Sequence, residues 1–416
     1  MRRVYAFTGI PGTGVQSAIE KLCSVENLSA RVLCLDQYLW EAFAEDARKR
    51  RELLRQTELR DQDVEAGRRP NWWKILKLPT SAIRFYWSLG AKRALAEIAS
   101  SKEEQVFLAF HACYHSDHFR WRLSAVDPAI LSQFKITAFF TLIDDVYDIH
   151  RRRKDDVSAQ RMVVGRDEVD EWERAKKLIE FYIKYLDQLI RWRQDEIVLT
   201  DLFAAASSAP SHVFSVKHPI SSLWKLIQNP YFSYYFSHPI TAIRRQENFT
   251  GSDDYREIRE ISSQLRLITS LIEPTTIDEF RIKTVRKTND QLSYFPRLNA
   301  RWPALDENAN LLYTPPTSAL VGDDNLYGSD SAQLLGLEGK CVELSEGRGP
   351  ENVQGLVSLA VKSFADRVNE DITWRDHHLV DQTKRIIVFR PMQNGTKSLG
   401  VQKELEYYTK LSVVNP

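Results

Sequence analysis

The residues best suited to chemistry lie near the C-terminus, in Ser398-Leu-Gly400-Val-Gln-Lys-Glu404-Leu-Glu-Tyr-Tyr408. Ser398 stands where a helix N-cap is expected, so the backbone N–H groups behind it can receive an anion. Gly400 lets the backbone approach a ligand closely, and Glu404, further along the same helix, can point back towards that end. A carboxylate in such a place can stabilise oxocarbenium character at a sugar and form a glycosyl ester that water or another base resolves. Upstream, Ile372-Thr-Trp-Arg-Asp376-His-His-Leu-Val380 supplies a second carboxylate, Asp376, before the apolar run Ile386-Ile-Val-Phe389. Earlier still, Tyr235-Phe-Ser237-His238-Pro-Ile-Thr-Ala-Ile-Arg244-Arg245 offers hydroxyls, a histidine and two arginines able to make charge-assisted contacts to a phosphate. Ordinary readings stand beside these. A glutamate on a terminal helix is usually solvated, Asp376 can cap a helix, His238 can be a structural loop residue, and Arg244 and Arg245 can be helix-start charges.

A second constellation opens the chain: Gly9-Ile-Pro-Gly12-Thr-Gly14-Val15-Gln16-Ser17 follows the short apolar strand Val4 to Phe7 and leads into helical spacing at Gln16 to Cys23. Glycine loops of this kind wrap backbone N–H groups around phosphates, with a lysine reaching the outer phosphates and a hydroxyl on magnesium. Gly9, Gly12, Gly14 and Ser17 fit that pattern, whereas Val15 occupies the lysine position. The segment resembles the phosphate loop of adenylate kinase-like P-loop proteins, over about residues 1–220. Without the lysine's charge, efficient phosphoryl transfer is not expected, and the resemblance leaves ATP and magnesium binding at this domain open. Leu142-Ile-Asp144-Asp145-Val-Tyr-Asp148-Ile-His-Arg151-Arg152-Arg153 is similar to the strand and arginine-bearing lid helix of such kinases, and reads equally as a salt-bridged helix start. His111, His115 and His118 follow a strand without forming a HExxH pattern, and no metal site is expected.

In the C-terminal stretch, Ser-Leu-Gly-Val-x-x-Glu-Leu resembles the signature of the 2'-deoxynucleoside 5'-monophosphate N-glycosidases, hydrolytic members of the nucleoside 2-deoxyribosyltransferase superfamily. In the transferases the corresponding stretch reads Asp-x-Gly-Thr-x-x-Glu-x-Gly-x-Ala. The resemblance implies that Glu404 is the nucleophile at the sugar anomeric carbon. Asp376 would orient the sugar and assist departure of the base. Tyr235, Ser237, His238, Arg244, Arg245, Ser398 and Gly400 would line the sugar-phosphate site. Ser398 replaces an aspartate that would repel a 5'-phosphate, which favours a nucleotide over a nucleoside. Glu406-Tyr407-Tyr408 and Ser237-His238-Pro239-Ile240 depart from the family's Gly-x-Ala and glycine-rich loop. The likeness covers roughly residues 231–411 apart from the segment before Pro350. It implies no cofactor for cleavage, and it implies a homo-oligomer, since superfamily members share active-site residues across a subunit interface.

These constellations need elements to position them. Strands are expected at Arg31 to Cys34, Gln105 to Phe110, Ile136 to Ile143 and Val213 to Val216, with helical stretches between, including a long one from Arg166 to Glu196. Such alternation implies a parallel sheet covered on both faces. The pattern restarts after Asn229-Pro230 with a strand at Tyr231 to Phe236 and a helix at about Asp254 to Leu267. Thr317 to Pro350, rich in Gly, Ser and Asp, is expected to be an insertion or lid. A helix near Leu356 to Val368, a strand at Arg385 to Phe389 and a final helix beginning near Ser398 complete the reading. The expected fold is therefore α/β in two domains. Residues 1–228 form a P-loop kinase-like parallel sheet, and residues 229–416 a flavodoxin-like, doubly wound domain of the deoxyribosyltransferase type carrying the 317–350 insertion. No internal repeat is visible.

The totals limit the partners. The chain has 416 residues, 43% hydrophobic and 27% charged, the composition of packed domains. Lys plus Arg number 57 against 56 Asp plus Glu, so no global field recruits nucleic-acid polymers or anionic membranes. Cys23, Cys34, Cys113 and Cys341 form no CxxC pair, which with the lack of a signal-peptide pattern or long apolar run points to the cytoplasm. The leading expectation is hydrolysis of the N-glycosidic bond of a nucleotide. Base exchange between nucleosides, a nucleotide kinase and a nucleotide-sensing module are the alternatives.

Overall fold

The computed structural model describes residues 2–48, 51–57, 72–116, 121–152, 171–229, 232–239, 252–274, 283–286, 292–295, 367–368, 370–383, 385–389, 392–393 and 396–414. The protein is α/β with parallel sheets. It divides into two compact units, the first drawn from Met1–Ile143 and Arg191–Ser233, the second from Asp144–Ile190, Tyr234–Ala309 and Thr314–Pro416. The expected insertion at 317–350 and most of the expected helix at 356–368 lie outside the described residues.

In the first unit the chain runs β1 (Arg3–Thr8), α1 (Val15–Val25), β2 (Ala30–Cys34), α2 (Leu35–Ala47), α3 (Arg51–Thr57), α4 (Thr80–Ser100) and β3 (Gln105–Ala109). A small antiparallel pair, β4 (Tyr114–Ser116) with β5 (Trp121–Leu123), precedes α5 (Pro128–Leu131) and β6 (Ile136–Ile143). Next come α6 (Val146–Arg152), which falls in the second unit, and α7 (Glu171–Ala206), whose part from Arg191 falls in the first. β7 (Ser211–Ser215) and α8 (Ile220–Gln228) complete the unit. The sheet has the order β2-β3-β1-β6-β7, and every pair in it is parallel.

Strand alternation divides the side chains between two cores. Tyr5, Phe7, Phe107, Phe140 and Phe214 face α1 and α8, and Phe7 stacks on Phe140 at 5.1 Å between ring centroids. Val4, Ala6, Val106, Leu108 and Phe139 face α2 and α4. These two helices lie so close at Gly90 that a Cβ there would sit 2.6 Å from the Tyr38 carbonyl carbon. α7 continues beyond the expected end at Glu196, because nothing between Glu196 and Ala206 interrupts helical spacing. It stops where Ser208 takes a left-handed φ of 53° and Pro210 follows.

In the second unit β8 (Ser233–Ser237) is the middle strand of a three-stranded sheet. β9 (Ser270–Ile272) lies on one side and β12 (Arg385–Val388), parallel to β8, on the other. Between β8 and β9 runs α9 (Asp253–Ile268), started by Ser252, whose side chain accepts from the Tyr255 N–H. An antiparallel pair, β10 (Lys283–Arg286) with β11 (Leu292–Phe295), follows β9 in sequence. α10 covers 370–381, and β13 (Met392–Gln393) pairs with β14 (Thr396–Lys397) before α11 (Leu399–Val414). Tyr234 and Phe236 pack on Tyr255, Ile258 and Leu271. The period of two therefore turns Tyr235 and Ser237 to the other face, where Val401 and Glu404 of α11 are also buried.

Candidate functional site

Glu404 is buried on α11 at 9% exposure, and both its oxygens are held from β8. The Tyr235 hydroxyl donates to Oε1 at 3.0 Å, and the Ser237 hydroxyl donates to Oε2. Strand alternation places those two hydroxyls on one face, and the helix register brings the carboxylate to them. On α10, Arg375 bonds the residue that follows it: Nη2 lies 2.9 Å and Nε 3.2 Å from Oδ1 of Asp376. The Arg375 side chain is 3% exposed and that of Asp376 13%. Burial first, then the Asp376 charge, pushes the Glu404 carboxyl above the ordinary carboxylate range. The two hydroxyls and Arg375 act in the opposite direction. Burial, with the Asp376 and Glu404 charges behind it, likewise holds the Tyr235 phenol well above its usual range, so it remains a hydrogen-bond donor.

Tyr235, Ser237, Asp376 and Glu404, far apart in sequence, therefore meet in one buried polar cluster. Asp376 lies inside α10 and is not a helix cap. Ser398 precedes α11, where its carbonyl accepts from the Gln402 N–H at 2.9 Å, the bond made by an N-cap residue. Gly400 lies in the first turn of α11, with open space around it. His238 is buried against Phe236 at 5.1 Å between rings. Its charge is felt by Glu273, which belongs to a second cluster: Arg266 bonds Glu273 at 2.8 Å, and Ser262 donates to the same carboxylate. Arg266, whose charge follows burial in the balance, helps hold that carboxyl below its usual range. Arg244 and Arg245 lie outside the described residues.

In the first unit Gly9, Gly12 and Gly14 have φ of 158°, 95° and 82°, and Gly14 is the N-cap of α1. Val15 is buried, and Ser17 is exposed on α1. The loops after β1 and β3 meet on a carboxylate that sequence reasoning missed. Glu196 is fully buried and accepts from the Gly9, Ala112 and Cys113 N–H groups at 3.0, 2.8 and 2.7 Å. Burial pushes this carboxyl up to about 7, against the pull of His111 and the three N–H groups. His111 donates from Nδ1 to the Gly9 carbonyl, and its Nε2 lies 3.7 Å from Asp36, which also accepts from the Tyr114 hydroxyl. On α7, Trp192 donates to the Cys113 carbonyl at 2.8 Å, and the Thr200 hydroxyl meets that of Thr8 at 2.8 Å. The signal in sequence was the spacing of Trp192, Glu196 and Thr200, a polar stripe on one helix face. The His115 ring lies tilted against Trp192 at 5.5 Å, while His118 is outside the described residues.

Two further sequence features have a place. Arg152 bonds Asp144 near the start of α6, an ion pair of the kind that secures a helix start. Cys23, Cys34 and Cys113 form no disulfide, and Cys341 is outside the described residues. Among the described residues no helix is long and apolar enough to cross a membrane, and no three His, Cys, Asp or Glu side chains are grouped to hold a metal. No family model matches the chain, and no curated protein is significantly similar to it.

Proposed function

We propose that the second unit cleaves the N-glycosidic bond of a nucleotide, best a 2'-deoxynucleoside 5'-monophosphate, with Glu404 as nucleophile. The observation that carries this reading is the hydrogen-bonding of both Glu404 oxygens by Tyr235 and Ser237 in a buried site beside Asp376. A carboxylate fixed in this way meets the anomeric carbon in one orientation, and burial keeps it poorly solvated and reactive. The C1'–N bond breaks with its electron pair leaving on the base, which takes up a proton, while a Glu404 oxygen bonds C1'. Water then adds its hydroxide to C1' as the ester bond to Glu404 breaks, freeing the sugar phosphate and restoring the carboxylate, and the proton it sheds replaces the one the base took up. Asp376 orients the sugar and assists departure of the base. Ser398, at the head of α11, meets the 5'-phosphate with His238, Arg244 and Arg245. No cofactor enters these steps.

The proposal extends to the finer fold: a flavodoxin-like unit of the deoxyribosyltransferase type following a P-loop kinase-like unit. The first unit regulates, binds nucleotide or assembles the protein. Incubating the protein with each 2'-deoxynucleoside 5'-monophosphate and separating the products by chromatography tests the reaction. Free base is expected from wild type, and a loss on the order of a thousandfold or more from Glu404→Gln, as for removal of a nucleophile. Nucleotides left intact by wild type would overturn the reading. A new nucleoside formed when a second base is supplied would move the activity to base exchange.

A further inference from the structure

Two carboxylates and one guanidinium share the interior of the second unit. Tyr235 and Ser237 hold Glu404 from β8, and Asp376 and Arg375 of α10 lie near enough for their charges to act on it. When both carboxylates are ionised the group carries two negative charges, a state that low dielectric makes costly unless a cation lies alongside. Arg375 is that cation. It is buried, and it holds Oδ1 of Asp376 through both Nε and Nη2.

We propose that Arg375 is a positioning residue: by gripping Oδ1 of Asp376 it fixes that side chain as an anion and allows Glu404 to be ionised beside it. This rests on the reading of Glu404 as nucleophile, since a protonated carboxyl cannot attack the anomeric carbon. It also makes Asp376 an acceptor, which assists departure by orienting a substrate hydroxyl while the base takes its proton from water. Arg375 then sets the pH at which the pair sheds its last proton, a property of the pair and not of either residue alone. Burial is the largest influence raising the Glu404 carboxyl; after it the Asp376 charge raises it further and Arg375 lowers it, in the sense this role requires.

Carboxyl titration by carbon-13 NMR of glutamate-labelled protein provides a test that does not depend on activity, with Glu404→Gln used to assign the signal. Arg375→Met should carry the last deprotonation of the pair upward by about one pH unit or more, the size expected when an adjacent opposite charge is lost. Arg375→Lys should bring it most of the way back. Asp376→Asn, nearly isosteric, should move the Glu404 midpoint down by a comparable amount, and it keeps the test decisive if the methionine variant does not fold. In the cleavage assay the acidic limb of kcat/KM should move with the NMR midpoint. A Glu404 midpoint that stays in place in either Arg375→Met or Asp376→Asn would overturn the proposal. NMR shifts as expected in a protein that releases no base would instead uphold the electrostatic role and defeat the assigned reaction.

Discussion

Glu196 offers the sharpest test of the physical reasoning, because its burial and its three N–H partners pull its proton affinity in opposite directions. Its carboxyl moves from 4.5 to about 7, a difference worth about 3 kcal/mol between protonation states. The folded protein thus holds this proton more tightly than the unfolded chain. The stabilisation it brings is complete below pH 4.5 and is lost as pH rises through about 7. Glu196→Gln removes the titration while keeping the shape. It also sets an amide N–H2 against at least one of the three N–H donors, a penalty that does not vary with pH. Urea unfolding of both proteins across this pH range should therefore show wild type losing about 3 kcal/mol relative to Glu196→Gln as pH rises. The other titrating groups cancel in the difference. Glu196→Ala isolates the opposing term: three buried N–H groups lose their acceptor, roughly 1–3 kcal/mol each. A wild-type-minus-glutamine difference that is flat with pH would refute the reasoning, showing that the N–H cradle outweighs burial and that the carboxylate is ionised as in water.

His212 carries a shift of opposite sign. Burial pushes this β7 ring, stacked on Phe140 at 5.4 Å, from 6.5 down to about 4, so its contribution is complete above pH 6.5 and is lost as pH falls towards 4. Wild type should lose about 3 kcal/mol relative to His212→Phe over that interval, measured by the same urea titrations. In wild type alone this slope and that of Glu196 oppose each other between pH 4.5 and 6.5. Gly90→Ala forces a Cβ to 2.6–2.8 Å from the Tyr38–Leu39 backbone. Despite alanine's better helix propensity it should lower stability by roughly 1–3 kcal/mol in denaturant unfolding.

The sequence by itself determined the elements. Apolar runs such as Ile136 to Ile143, glycines at the end of β1 and helical spacing after Gly14 are local signals, because strand and helix periodicities and left-handed turns depend on neighbouring residues. Those signals also placed Ser398 at the head of the last helix and marked Glu404 as a carboxylate worth following. Tertiary structure alone decided the partnerships. Nothing local says that Tyr235 and Ser237 hold the two oxygens of Glu404, that the adjacent Arg375 and Asp376 are withdrawn from water together, or that Glu196 closes the loops after β1 and β3. A buried charge and a solvated one look alike in sequence. What separates them is whether other elements withdraw water and supply donors, and that is settled by strand order and helix docking across more than a hundred residues.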